Sequence, residues 1–68
     1  MHVTLNGSER TLAESATVAD AAALVGVRPG EPGVAVALEG RVVPGGHWTA
    51  TRVHEGARVE VVRAAAGG

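Results

Sequence analysis

The segment RVEVVRAAAGG, residues 58–68, decides how this chain is built. Val59 and Val61 alternate with Glu60 and Val62, which predicts a strand with one buried and one exposed face. The strand then runs into small residues and ends in a diglycine. Because glycine has no side chain, such an end can thread a narrow channel. Two interpretations are open here: a frayed terminus, or a tail presented to another protein.

The length of this tail is sufficient for the second interpretation, and the first stays open. Residues 64–68, fully extended, span roughly 15 to 17 Å at about 3.3 Å per residue. A segment of that length can enter the active site of a partner. We therefore predict a domain of residues 1–63 and a flexible C-terminal tail of residues 64–68.

The N-terminal residues predict a β-hairpin. Val3 and Leu5 alternate with polar neighbours, as in a half-buried strand. Asn6-Gly7 suits a two-residue type I′ turn, because both positions favour positive φ. Residues 8–13 then return as a second strand, with Leu12 as its apolar anchor.

A short amphipathic helix is predicted after the hairpin, over residues 18–25. The Thr17 hydroxyl can cap its free amides, Asp20 lies in its first turn, and Gly26 suits its end. Apolar residues at i, i+3, i+4 and i+7 predict the buried stripe, with Leu24 beside it. These residues are Val18, Ala21, Ala22 and Val25.

The remaining segments predict two short strands and two irregular stretches. Residues 27–33 are rich in Pro and Gly and read as a loop. In residues 34–38 larger apolar residues alternate with alanine, which predicts a strand. Residues 41–43 predict another short strand, which ends before Pro44. Residues 45–55 are irregular, and their Trp48 is expected to close one end of the core. This order predicts an α+β domain with one helix packed across a single sheet.

Composition narrows the classes of function. The chain has 68 residues, enough for one small domain, with 46% hydrophobic and 19% charged residues, as in a folded protein. There is no cysteine for disulfide or thiolate chemistry, and all 6 basic residues are arginine, which excludes lysine chemistry. A net charge of −1 and the lack of a long apolar run argue against nucleic acid and membrane partners, and favour the cytoplasm.

Internal catalytic or metal sites are not indicated. His2, His47 and His54 match no zinc spacing, and Ser8 and Ser15 lie in no nucleophile elbow. The terminal carboxylate is therefore the best candidate for chemistry on this chain.

Taken together, the chain resembles the ThiS-type sulfur-carrier proteins of thiamine biosynthesis, which are ubiquitin-like β-grasp domains. The resemblance covers essentially the whole chain and implies a mixed sheet of about four to five strands with one helix packed across it. Its main elements are residues 34–40 and 41–44, Trp48, Thr51, Gly56, residues 59–62 and the terminal Gly67-Gly68.

The resemblance implies chemistry at Gly68. A ubiquitin-activating-type adenylyltransferase would use ATP and Mg²⁺ to adenylate its carboxylate, while this chain itself would bind no cofactor or metal. Sulfur from a cysteine persulfide, ultimately supplied by a cysteine desulfurase, would displace AMP and leave a thiocarboxylate. A thiazole synthase would receive that sulfur. The chain would thus be a protein co-substrate and not an enzyme.

The same resemblance assigns roles around the terminus. The residues expected to thread the active sites of the partners are Gly67, Ala66 and Ala65. Val62 faces away from the predicted core and is expected to form an apolar docking patch with Ala35 and Ala37. Arg63 is expected to add a charged contact at the edge of this patch. The alternative is that Val62 is an isolated surface valine.

Two other functions stay open. The first alternative is a β-grasp sulfur carrier for another pathway, such as molybdopterin, cysteine or secondary-metabolite synthesis. The second is a ubiquitin-like interaction module whose tail undergoes no chemistry.

Overall fold

The computed structural model describes residues 1–64. Within that range the chain forms five strands and one α-helix, with a 3₁₀ turn before the last strand. The elements are β1 (His2–Leu5), β2 (Ser8–Thr11), α1 (Val18–Ala23), β3 (Val34–Leu38), β4 (Arg41–Val43), the 3₁₀ turn Gly45–His47, and β5 (Arg58–Arg63).

The strands form a single mixed sheet in the order β2-β1-β5-β3-β4. β1 and β5 run parallel, with Thr4 opposite Arg58, and the other neighbouring strands are antiparallel. The strand that leads to the C-terminus therefore occupies the centre of the sheet. The predicted α+β fold with one helix across a mixed sheet is confirmed.

The first hairpin closes as predicted from its sequence. Asn6 and Gly7 both have positive φ, at 49° and 82°, as a type I′ turn requires. The register places Leu5 opposite Ser8 and His2 opposite Thr11. The second strand ends at Thr11, two residues before the predicted end, and Leu12 packs half-buried against the core.

The helix begins at the predicted cap, Thr17, which forms a reciprocal capping box with Asp20. The Thr17 hydroxyl accepts a hydrogen bond from the Asp20 N–H at 3.4 Å, and the Asp20 carboxylate accepts one from the Thr17 N–H at 2.8 Å. The helix ends earlier than predicted, at Ala23. Leu24 and Val25 are consequently 37% and 38% exposed, so the prediction that Val25 completes the buried stripe is wrong.

The core lies between the helix and one face of the sheet. Its largest fully buried side chains are Trp48, Leu5, Val3, Val18, Val36 and Val59. Trp48 lies in the predicted irregular segment, and its indole N–H donates to the carbonyl oxygen of Val43 at 2.8 Å. Trp48 is the one aromatic residue of the chain, and its buried ring fills the core while its polar N–H keeps a hydrogen-bond partner.

Candidate functional site

In the sequence, the predicted reacting residues follow shortly after β5, the central strand of the sheet. Gly68, Gly67, Ala66 and Ala65 lie outside the described residues. The last described residue, Ala64, donates its N–H to the carbonyl oxygen of Gly33 at 2.7 Å. The base of the predicted tail is therefore held against the loop that precedes β3.

The sheet has an outer face that the helix does not cover, and β5 contributes to both faces. Val59 and Val61 point into the core, whereas Glu60 and Val62 point outward, as the alternation in the sequence predicted. Val62 is 61% exposed. Its position two residues before Ala64 places an apolar side chain beside the base of the tail.

Register brings the predicted docking residues together on this outer face. Val62 lies directly opposite Ala35 on β3, and Ala37 is two residues further along the same face of that strand. Val62 therefore has apolar neighbours on the outer face. Its role in docking stays a prediction.

Val42 extends this apolar surface and was missed in the sequence. It is 73% exposed and lies opposite Ala37 on the edge strand β4. The signal was available, because adjacent strand residues point to opposite faces. Since Val43 packs against the core, Val42 has to point outward. We call Val62, Ala35, Ala37 and Val42 the outer apolar patch.

Charged side chains border the outer apolar patch on β5. Glu60 lies opposite Ala37, and its carboxylate is 3.8 Å from the Arg58 guanidinium. Both side chains are more than half exposed. The surface thus changes from apolar near the tail to charged toward the start of β5.

Arg63 is not at the edge of the outer apolar patch, so that expectation is wrong. It alternates in phase with Val59 and Val61, and its guanidinium reaches the helix side of the sheet. There its Nη1 donates to the Glu31 carboxylate at 2.7 Å, and its Nη2 lies 3.4 Å from the Gly26 carbonyl oxygen. Contact of Arg63 with a partner stays a prediction.

Glu31 carries the clearest electrostatic feature near the tail. The backbone N–H of Arg28 donates to its carboxylate at 3.0 Å and, together with the Arg63 guanidinium, lowers the pKa of Glu31 below its ordinary value of 4.5. The carboxylate is therefore ionised at neutral pH and available as the partner of Arg63.

The three histidines lie on the surface. His2 is 3.5 Å from the Glu55 carboxylate, and His54 is 4.0 Å from that of Glu39. Among residues 1–64 no three His, Asp or Glu side chains are grouped closely enough to hold a metal ion. The described part of the chain also contains no helix long and apolar enough to cross a membrane.

Comparisons with known proteins agree with this architecture. The model of the ThiS family matches residues 3–68. The chain is similar to the crystal structure of the thiamine biosynthesis protein ThiS from Geobacter metallireducens, with 33% identity and a TM-score of 0.77 over 100% of both chains. It is also similar to the solution structure of a thiamine biosynthesis protein from that organism, with 34% identity and a TM-score of 0.77 over 100% of this chain and 88% of the other. No curated protein matches.

Proposed function

This chain belongs to the ThiS family, and we propose from that membership that it is a sulfur carrier of thiamine biosynthesis whose reacting group is the Gly68 carboxylate. The observation that carries the proposal is a family match spanning residues 3–68, which includes the diglycine. Its support in the fold is the position of β5 at the centre of the sheet, leading directly to that terminus.

The proposed chemistry begins with activation. A terminal carboxyl has a pKa of about 3.5 and is ionised at neutral pH, so its carbonyl carbon resists nucleophiles. An adenylating enzyme would join the carboxylate oxygen to the α-phosphate of ATP, releasing pyrophosphate. Mg²⁺ held by that enzyme would neutralise the phosphate charge. AMP then becomes the leaving group.

Sulfur transfer follows from the acyl adenylate. The terminal sulfur of a cysteine persulfide, formed by a cysteine desulfurase, attacks the carbonyl carbon and expels AMP. A thiol then cleaves the resulting sulfur–sulfur bond and is itself oxidised to a disulfide, leaving the thiocarboxylate on Gly68. That sulfur is nucleophilic and is passed to a thiazole synthase. The carrier is recovered as the carboxylate and acts as a co-substrate, not as an enzyme.

Docking on the adenylating enzyme is assigned to the outer apolar patch. Val62 and Val42 are each more than half exposed, and the alanines between them leave a low surface on which a partner can pack. Contiguous exposed apolar side chains of this kind are typical of interaction sites. Gly67, Ala66 and Ala65 would then pass through the channel to the active site. Because the reaction needs ATP and a persulfide, we place the carrier in the cytoplasm.

Intact mass tests this function. The full chain is incubated with the cognate adenylating enzyme, ATP, Mg²⁺ and a sulfide source, and its mass is measured. We expect one oxygen to be exchanged for one sulfur in the wild type. The chain lacking Gly68 is the control and is expected to keep its mass. An unchanged wild-type mass with an active enzyme would exclude the sulfur-carrier function and leave the interaction module.

A further inference from the structure

The end of β5 is tied to the loop of residues 27–33 by two short contacts. The Arg63 guanidinium donates to the Glu31 carboxylate at 2.7 Å, and the Ala64 N–H donates to the Gly33 carbonyl oxygen at 2.7 Å. Arg63 is also paired with Val34 in the sheet. The loop therefore holds both the last strand residue and the residue after it.

The Glu31 carboxylate is held by the backbone of Arg28, independently of its contact with Arg63. Its Oε1 accepts the Arg28 N–H at 3.0 Å, and the Glu31 N–H donates back to the Arg28 carbonyl oxygen at 3.1 Å. Its Oε2 is left to receive Arg63. The Glu31 side chain is only 17% exposed, whereas that of Arg63 is 53% exposed. The loop thus supplies a positioned acceptor, to which the more exposed arginine donates.

We propose that Glu31 is a positioning residue for the chemistry at the C-terminal carboxylate, acting through Arg63. The inference rests on the proposed function. By holding Arg63, Glu31 fixes where the chain leaves the sheet, so that less conformational entropy is lost when a partner receives the terminus. Ordering a residue on binding costs conformational entropy, and preorganisation of a binding segment reduces that cost.

The ion pair between Arg63 and Glu31 is expected to affect the position of the chain end more than the stability of the fold. Ion pairs at a surface contribute little to the free energy of unfolding. Loss of the Arg63 and Glu31 contact should therefore leave the fold intact and appear in recognition by the adenylating enzyme.

Glu31→Gln and Glu55→Gln form a matched pair of variants. Each replaces a carboxylate that accepts a backbone N–H, that of Arg28 at 3.0 Å and that of His2 at 2.9 Å. Glu55 lies near the start of β1 and β5, at the opposite end of the sheet from Arg63. In ATP–pyrophosphate exchange with the cognate adenylating enzyme, we expect Glu31→Gln to raise the KM for the carrier about three- to tenfold, with kcat unchanged. Glu55→Gln should match the wild type. Equal KM values for the two variants would overturn the proposal.

A double-mutant cycle tests whether Glu31 acts through Arg63. Arg63→Gln is expected to raise KM as much as Glu31→Gln, and the double variant should be no worse than either single one. Additive increases would show that Arg63 contacts the partner independently, and would overturn the role of Glu31 through Arg63.

Amide hydrogen exchange provides a readout that needs no partner enzyme. Release of Arg63 should speed the exchange of the Ala64 amide in Glu31→Gln and not in Glu55→Gln. If the wild type is never adenylated, the proposed function fails, and faster Ala64 exchange still supports a Glu31 contact that fixes the end of β5. Unchanged Ala64 exchange in Glu31→Gln would overturn the positioning itself.

Discussion

The Asn6 carboxamide forms reciprocal hydrogen bonds with the backbone of Val61, 55 residues away. The Val61 N–H donates to Asn6 Oδ1 at 2.8 Å, and Asn6 Nδ2 donates to the Val61 carbonyl oxygen at 3.2 Å. The Asn6 backbone N–H also donates to the Val59 carbonyl oxygen at 2.9 Å. A turn residue of the first hairpin therefore extends the parallel pairing of β1 with β5, toward the end that carries the tail.

Substitution of Asn6 should destabilise the domain in two separable ways. Asn6→Gly tolerates the positive φ of 49° and loses both side-chain bonds, and we expect a loss of about 1–2 kcal/mol. Asn6→Ala should lose about 1 kcal/mol more, because its Cβ disfavours left-handed backbone. Urea unfolding followed by Trp48 fluorescence measures both. Ser8→Ala, at an exposed neighbouring position, is the control, and equal stability of Asn6→Gly and Ser8→Ala would contradict a stabilising role for the hydrogen bonds between Asn6 and Val61.

Trp48 is expected to contribute through its hydrogen bond as well as its volume. Trp48→Phe keeps an aromatic ring but removes the donor to the Val43 carbonyl oxygen at a site where Trp48 is only 1% exposed. We expect a loss of about 2–3 kcal/mol from the unpaired carbonyl and the partly filled space. Circular dichroism follows unfolding, since the variant has no tryptophan. His47→Gln, at the exposed neighbouring position, should be about as stable as the wild type. If Trp48→Phe were equally stable, the indole hydrogen bond would make no measurable contribution to stability.

Local features of the fold were predictable from the sequence because each depends on nearby residues. Asn6-Gly7 determines its turn through backbone preference, and Thr17 caps the start of the helix with Asp20 in its first turn, as predicted. Alternation correctly divided β5 between its two faces up to Val62. The same alternation, carried one residue further, would have placed Arg63 on the helix side.

Contacts between distant segments were not predictable in this way. Glu31 lies in a loop without periodicity, and its partner Arg63 is 32 residues away. Helical periodicity continued through Val25, yet the helix ends at Ala23, ahead of Gly26 with its φ of 77°, and the buried stripe stops at Ala22. The register of separate strands, which assembles the outer apolar patch, depends on the whole sheet.

Acid should weaken the fold through Glu31 and Glu55. Backbone N–H donors, Arg28 for Glu31 and His2 for Glu55, lower the pKa of each carboxyl below 4.5. The folded form thus keeps them ionised at a pH where the unfolded chain protonates them. The resulting stability is present above pH 4.5 and is lost as the pH falls through the lower folded pKa.

Urea unfolding at a series of pH values around and below 4.5 measures this loss. We expect the free energy of unfolding to fall less steeply with acidification in the double variant Glu31→Gln/Glu55→Gln than in the wild type. Identical pH dependence of the two proteins would show that these hydrogen bonds do not persist in solution.

The outer apolar patch predicts how binding to the adenylating enzyme responds to charge. Val62→Asp and Val42→Asp each place a carboxylate on an apolar surface, and we expect each to weaken binding about tenfold or more, since burying an unpaired charge is costly. Both positions are exposed, so the domain should stay folded. Ala23→Asp adds the same charge at an exposed position on the helix side and is the control. Binding is measured by calorimetry with the cognate enzyme. Loss of affinity in Val62→Asp alone would restrict the docking surface to β5, whereas equal effects of all three variants would indicate general charge repulsion and exclude this face as the site.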